Sequence, residues 1–387
     1  MPWTTTPLIG IALLLLLFTG CAREQKDYSR ALPPGAIALE EVPYNEWPEF
    51  SFRSMDRRAF LTGIEHSLSY LAKPSAQQHF PVAGVSHRQV EDGLKRFREV
   101  LLSGADDQEL RRILRQEFRI YRSVGWDGSG EVLFTGYYTP IFDARLERDS
   151  TFRYPVYGRP DDLIPGETHI TVATQRLPDG STRPYPSAGE LRRSRALAGK
   201  EVAWFADPFD AYIVVVQGSA KLRLPGGRMH EIGYAGTNGH AYRAIGRDLV
   251  ADGHIRPDAL SLSAMRRFFR ENPQRVEEYI NRNPRMVFFQ EAPGGPFGSL
   301  GEAVTTDVSI ATDKRIFPRA ALTFVTTQSP DRHGRVRPYQ GFRLDQDTGG
   351  AISAPGRCDL YMGVGEEAEV RAGYQLHEGR LYYIVLR

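Results

Sequence analysis

Two carboxylates stand near the C-terminus, Asp347 in Gln346-Asp347-Thr348-Gly349-Gly350-Ala351-Ile352 and Asp359 in Arg357-Cys358-Asp359-Leu360-Tyr361-Met362-Gly363. Period-2 alternation puts Arg357, Asp359 and Tyr361 on one face of a strand. A carboxyl facing an enclosed, partly apolar groove loses solvation of its charged form, which raises its pKa toward the range of a general acid. A second carboxylate carried near it by the Gly-rich turn raises it further. The plainer alternative stays open at this point: Asp347 as an Asx turn and Asp359 as a solvated strand residue. Cys358 has no Cys–His context and reads as a small buried apolar residue. The 9 histidines show neither HExxH nor paired ligand spacing, so no metal site is expected.

The elements that must hold these groups follow from periodicity. Phe60, Leu61, Ile64, Leu68 and Leu71 share one helical face. Ser86 and Gln89 make a capping-box pattern before Val90, Leu94, Phe97 and Leu101, and a third helix from about Asp106 carries Leu110, Ile113, Leu114 and Phe118. From Glu131 strands take over, beginning with Val132 to Tyr138. The apolar run Ala211 to Val216 also reads as a strand. Gln217 and Ser219 follow it, where polar groups commonly meet ligand. Asn238 and His240 sit at a Gly-bounded helix start and are expected to cap it. Helical patterns return over Tyr242 to Val250 and Ser263 to Tyr279, and short strands run from Met286 to the end, at a spacing that suggests a small closed barrel.

A chain of 387 residues is long enough for two or three domains of ~150 residues. Its 41% hydrophobic and 25% charged residues exclude wholesale disorder. A net charge of +2 argues against a nucleic-acid coat, which needs a basic face. Leu8 to Phe18 form an unbroken apolar run, far short of the ~20 residues of a spanning helix and typical of a signal-peptide core. The run ends at Phe18-Thr19-Gly20-Cys21, which resembles a bacterial lipobox; Cys21 is then acylated and Cys358 is left without a disulfide partner. Ala22, rather than Asp, leans the anchor toward the outer membrane.

Phe134-Thr135-Gly136-Tyr137-Tyr138-Thr139-Pro140, Val216-Gln217-Gly218-Ser219 and Gly233-Tyr234-Ala235-Gly236-Thr237-Asn238-Gly239-His240-Ala241-Tyr242-Arg243 resemble the membrane-bound lytic murein transglycosylase A family. Asp347 through Tyr361 resembles that family's domain named for three aspartates, and Ala311-Thr312-Asp313-Lys314-Arg315-Ile316-Phe317-Pro318 matches the strand-turn that carries the first of them. The stretch from Thr348 to Cys358 is one residue longer than the family pattern and reads Ser353-Ala354-Pro355-Gly356 where a Lys-Gly turn is usual. The resemblance implies an α+β, mainly β fold: a double-psi β-barrel domain with flanking helices and a second small β-domain inserted, with a groove between them. The expected parts are a signal peptide over 1–20, a tether over 21–50, the barrel domain with its helices over 51–141 and 234–387, and the insert over 142–233.

The resemblance further implies Asp359 as catalytic acid/base with Asp347 and Asp313 as partners, and Thr139, Tyr138, Gln217 and Ser219 as sugar-binding residues. The reaction implied is cleavage of the β-1,4 bond between N-acetylmuramic acid and N-acetylglucosamine by the sugar's own 6-hydroxyl, leaving a 1,6-anhydro end, with no metal or organic cofactor. Partners are then peptidoglycan glycan strands, the membrane through the lipid, and cell-wall synthesis enzymes. A two-carboxylate hydrolase on the same barrel and a non-catalytic wall-binding lipoprotein are the alternatives.

Overall fold

The computed structural model describes residues 26–167 and 171–387; the signal segment and Cys21 lie outside the described residues. The chain begins with β1 (Leu39–Glu41), α1 (Arg57–Leu71), α2 (Pro74–Gln77), α3 (His87–Leu102) and α4 (Asp107–Glu117), then β2 (Phe118–Ser123) and β3 (Val132–Thr139). Side-chain caps set the helix starts: Asp56 accepts from the Arg58 and Ala59 N–H groups, Asp106 from Glu109, and Ser86 and Gln89 form the capping box. Their apolar stripes, among them Phe60, Ile64, Leu94, Phe97, Leu110 and Leu114, enter one core with the barrel strands. Phe118 starts β2 rather than ending α4.

The expected tether over 21–50 is corrected in its second half. Ala38, Val42 and Phe50 are buried, β1 pairs antiparallel with β2, and the Phe50 ring packs against Phe324 and Phe342. The prolines there flank a three-residue edge strand, where few ladder donors are missed.

The middle of the chain is built of β4 (Ile141–Asp143), β5 (Tyr154–Tyr157), β6 (Leu163–Ile164), β7 (Thr174–Arg176), β8 (Thr182–Pro184), α5 (Ala188–Ser194), β9 (Glu201–Phe205), α6 (Pro208–Gln217), β10 (Ala220–Arg223), β11 (Met229–Thr237), α7 (Ile245–Ala251), α8 (Leu262–Glu271), α9 (Val276–Ile280) and β12 (Val287–Glu291). One sheet runs β12-β11-β10-β4, β5 pairs with β9, and β6-β7-β8 form a small meander. Because β11 and β12 belong to this sheet, the smaller unit extends to about residue 291 and does not end at 233.

The run Ala211 to Val216 is helix α6, not a strand. Asp207 accepts from the Phe209 N–H, Pro208 occupies the first turn, and Gly218 terminates the helix at φ 79°, in the left-handed region. The helix is apolar all round because it is buried on two sides. Ala211, Val214 and Val215 join the sheet core, while Phe209, Tyr212 and Ile213 pack with α7, α8 and α9.

The C-terminal part supplies β13 (Ser309–Ala311), β14 (Leu322–Pro330), β15 (Val336–Asp347), β16 (Arg357–Val364), α10 (Glu366–Tyr374) and β17 (Leu376–Leu386). The order β17-β14-β15-β13-β16-β3 closes because β17 also pairs with β3, giving the six-stranded double-psi barrel. The parallel pairs β13–β15 and β16–β3 thread this ring, so β3, which precedes the smaller unit in sequence, completes the barrel that follows it.

Candidate active site

The barrel's ladder sets four residues in a row across adjacent strands. Asp347 of β15 pairs with Ala311 of β13, Ala311 with Asp359 of β16, and Asp359 with Thr135 of β3. All four line one cavity of about 300 Å³. Two strand spacings put the Asp347 and Asp359 backbones roughly 10 Å apart, with only the Ala311 methyl between them. The longer turn through Ser353 and Gly356 leaves the pairing of Asp359 intact. Alternation sends the neighbouring Cys358 into the core, where burial pushes its thiol well above the usual range; it is a free thiol.

Asp359 is 17% exposed at its side chain. Its Oδ1 accepts a hydrogen bond from the Thr135 hydroxyl and lies 3.5 Å from Arg357 Nη2, which also donates to Thr135 Oγ1 at 3.1 Å. Its Oδ2 has no hydrogen-bond partner among the described residues. Asp347 uses Oδ1 alike, accepting from the Ser299 and Thr348 N–H groups at 2.8 Å each. Burial raises the Asp347 pKa against the pull of these donors. Tyr137 belongs to the same wall. Its buried hydroxyl faces Asp347, and burial, followed by the charge of Asp347, raises its pKa well above 10.

The facing wall comes from the smaller unit. Gln217, the last residue of α6, accepts at Oε1 from the Tyr138 N–H at 3.2 Å, tying the helix end to the barrel. Tyr242 and Asn283 face the Asp359 cavity. Arg285 packs over the Gly-rich turn so closely that a Cβ at Gly350 would lie 2.7 Å from its guanidinium. Past Tyr137, Gln217, Arg285 and Asp347 the space continues into a cavity of about 550 Å³, bordered by Ser219 and Thr139 and by the exposed rings of Tyr234 and Phe297. Such rings offer apolar faces to a sugar. The result is a long open cleft between barrel and smaller unit. Among the described residues no metal-ligand cluster occurs.

Asp347, Asp359, Gln217, Ser219 and Thr139 therefore meet on one cleft, with Thr139 buried and hydrogen-bonded to the Tyr361 hydroxyl at 2.9 Å. Two expected site residues do not reach it. Asp313 is 1% exposed and its carboxylate is held by Arg315 Nε at 2.9 Å and Nη2 at 2.6 Å and by the Arg315 N–H, so it braces the turn after β13. Tyr138 points opposite to Tyr137 on β3, and its hydroxyl donates to Glu369 of α10 at 2.8 Å; only its backbone meets the cleft side, through Gln217. Asn238 and His240 do not cap a helix. Asn238 ties the backbones of Pro186, Pro284 and Met286, and His240 Nε2 donates to the Tyr185 carbonyl at 2.8 Å. The sequence reading passed over Thr135 and Arg285. Period-2 spacing from Tyr137 would have placed Thr135; nothing local marks Arg285.

A closed double-psi barrel with carboxylates at its mouth, facing an inserted β-unit across an open cleft, defines a class of two-lobed, carboxylate-bearing barrel proteins. Within that class, residues 133–290 match the MltA specific insert domain and residues 308–385 match the 3D domain. The chain is 31% identical over 292 residues to membrane-bound lytic murein transglycosylase A of Escherichia coli K12, covering 74% of this chain and 73% of that protein. It is 27% identical over 390 residues to the Vibrio cholerae protein of the same name, covering 98% and 94%. The crystal structure of a membrane-bound lytic murein transglycosylase from Agrobacterium tumefaciens superposes with a TM-score of 0.75 at 24% identity, over 91% of this chain and 98% of that one. E. coli MltA with bound chitohexaose gives 0.70 at 24% identity, over 93% and 99%. The chain belongs to the membrane-bound lytic murein transglycosylase A family, a family of enzymes.

Proposed function

We propose that this chain cleaves the β-1,4 bond between N-acetylmuramic acid and N-acetylglucosamine in peptidoglycan, with Asp359 as the single acid/base. The observation that carries this reading is the asymmetry of the Asp359 carboxyl: one oxygen is fixed by Thr135 beside Arg357, and the other is unpartnered on the cleft. Protonated Asp359 donates to the glycosidic oxygen. The carboxylate so formed is steadied by Thr135 and Arg357, and it then accepts the proton of the muramoyl 6-hydroxyl as that oxygen closes on the anomeric carbon. Holding the 6-hydroxyl beside that carbon gives an intramolecular attack its high effective molarity.

Asp347 is poorly suited to act as a nucleophile. Burial holds its carboxyl toward the neutral form, and one oxygen is committed to two backbone N–H groups. The open cleft suits an extended polymer, and the chitohexaose bound by E. coli MltA supports glycan binding. The lipobox-like segment supports attachment through acylated Cys21 at the periplasmic face of the outer membrane, with the described residues offering no helix long and apolar enough to cross a membrane. Palmitate labelling that is lost in Cys21→Ser tests the anchor. Mass spectrometry of digested peptidoglycan tests the reaction: 1,6-anhydro ends are expected, reducing ends would favour the two-carboxylate hydrolase, and intact strands would leave only binding.

A further inference from the structure

A separate cavity of about 160 Å³ lies within the smaller unit, between β5, α5, α6 and α9. Its walls include Tyr154, Tyr157, Tyr212 and Val215, and its inner charge is Arg192 of α5; Arg193 and Glu277, both exposed, complete its charged lining. Arg192 is anchored by one nitrogen. Nη1 donates to the Ile280 carbonyl at 3.5 Å and to Asn281 Oδ1 at 2.9 Å, at the C-terminal end of α9, where free carbonyls favour a cation.

Among the described residues the rest of the guanidinium makes no hydrogen bond, and no carboxylate lies within 4.0 Å of it. Burial draws its pKa below the ordinary value, against the opposing pull of Tyr212, Tyr157 and Glu277. An arginine stays charged in a protein, and this half-buried guanidinium keeps its remaining nitrogens open to the cavity, where an anion from outside can reach them. The neighbouring Tyr212 is 3% exposed and offers its ring to this cavity, while its hydroxyl turns toward Tyr242 and Asn283 on the side of the Asp359 cavity.

We propose that this cavity is a second binding site, separate from the Asp359 cleft, for a carboxylate-bearing group about the size of one amino-acid residue. The guanidinium fork matches a carboxylate in two parallel hydrogen bonds, and the tyrosine faces suit a short apolar body beside it. At ~30 Å³ per water the space holds about five waters, enough for a small acid and too little for a sugar chain. Val215 lines both this cavity and the Asp359 cavity, so an occupant touches the helix that presents Gln217 to the glycan cleft. The carboxylate comes either from a peptide borne by the peptidoglycan strand, a source that rests on the function proposed above, or from a free small acid.

Calorimetric titration of the intact protein with N-acetyl-alanine and with its C-terminal amide reads the site whether or not the enzyme acts on peptidoglycan. The acid should bind, and the amide should bind about tenfold more weakly or worse, because the charged hydrogen bonds are lost. Arg192→Gln should weaken the acid by a similar factor, Arg192→Lys should weaken it less, and Asp359→Asn should leave it unchanged. Since Arg192 also secures α9, Ala211→Leu serves as a second variant that fills the cavity with Arg192 in place, and it should weaken the acid at least as much as Arg192→Gln. A peptide source adds a KM increase for Arg192→Gln on peptide-bearing strands alone, with kcat unchanged; a free acid leaves KM unmoved on both kinds of strand while the titration still shows the site. Equal binding of acid and amide, or no binding of either by folded wild type at millimolar concentration, overturns the proposal.

Discussion

Asp345 and Asp347 lie two residues apart on β15, and their surroundings could hardly differ more. Asp345 is fully buried and accepts from Lys314 Nζ, from Thr312 Oγ1 at 2.7 Å and from the Tyr383 hydroxyl at 2.8 Å. Both of its oxygens are occupied, and a cation balances its charge inside the barrel. Asp359, two strands away, binds the protein through one oxygen and keeps the other for the cleft, while Asp347, at the strand's end, takes two backbone N–H groups at one oxygen and lies against the Tyr137 hydroxyl. The residue type is the same; the number of donors that the fold supplies separates a carboxylate that builds the barrel from one that can exchange a proton. Asp313, gripped by Arg315, falls with Asp345.

The sharpest way to break this contrast is to neutralise one carboxylate of each kind. Asp359→Asn keeps the shape and the hydrogen bonds but removes both proton transfers, each worth roughly 10²–10⁴ in rate. Turnover of glycan strands should fall by about 10⁴-fold or more, with thermal melting and strand binding unchanged. Asp345→Asn should do the reverse. It leaves Lys314 as an uncompensated buried charge, at a cost of about 3–5 kcal/mol in chemical denaturation.

The contrast was only partly legible in the sequence. Alternation around Asp359 was enough to put Arg357, Asp359 and Tyr361 on one face, apolar periodicity located α1 and α4, and the Ser86–Gln89 capping box located α3. Nothing in Ala311 to Pro318 says that Arg315 folds back on Asp313; the resemblance alone pointed to it. The β-branched run Ile213 to Val216 favours strand by intrinsic preference. Burial on two sides and the Asp207-Pro208 start made it helix α6, and with it changed what presents Gln217. Arg285 reaches the cleft through tertiary packing against Gly350, for which no local pattern exists.

Asp347→Asn sharpens the comparison at the cleft itself. Its activity loss should be smaller, about ten- to a hundredfold, since it tunes and positions rather than transfers the proton. Its stability effect has a definite sign. Burial raises the folded pKa above the usual 3.8, so the wild-type contribution is fully present below pH 3.8 and lost as pH rises through the folded value. The Asn variant should therefore match or exceed wild-type stability at pH 7 and lose that advantage below pH 3.8, as followed by denaturation across pH.

The smallest effect is expected at the facing wall. Gln217→Ala removes a cleft-lining amide and its tie to the Tyr138 N–H, so KM should rise by about three- to tenfold with kcat little changed. An unchanged KM would remove Gln217 from substrate binding.

The most direct measurement on Asp359 as sole acid/base is digestion of peptidoglycan strands by the wild-type protein in water enriched in oxygen-18, with the new ends read by mass spectrometry. Closure by the sugar's own 6-hydroxyl predicts 1,6-anhydro ends that carry no label. Reducing ends labelled with oxygen-18 would mean that water is the nucleophile and that a second carboxylate activates it, which contradicts the single-residue mechanism.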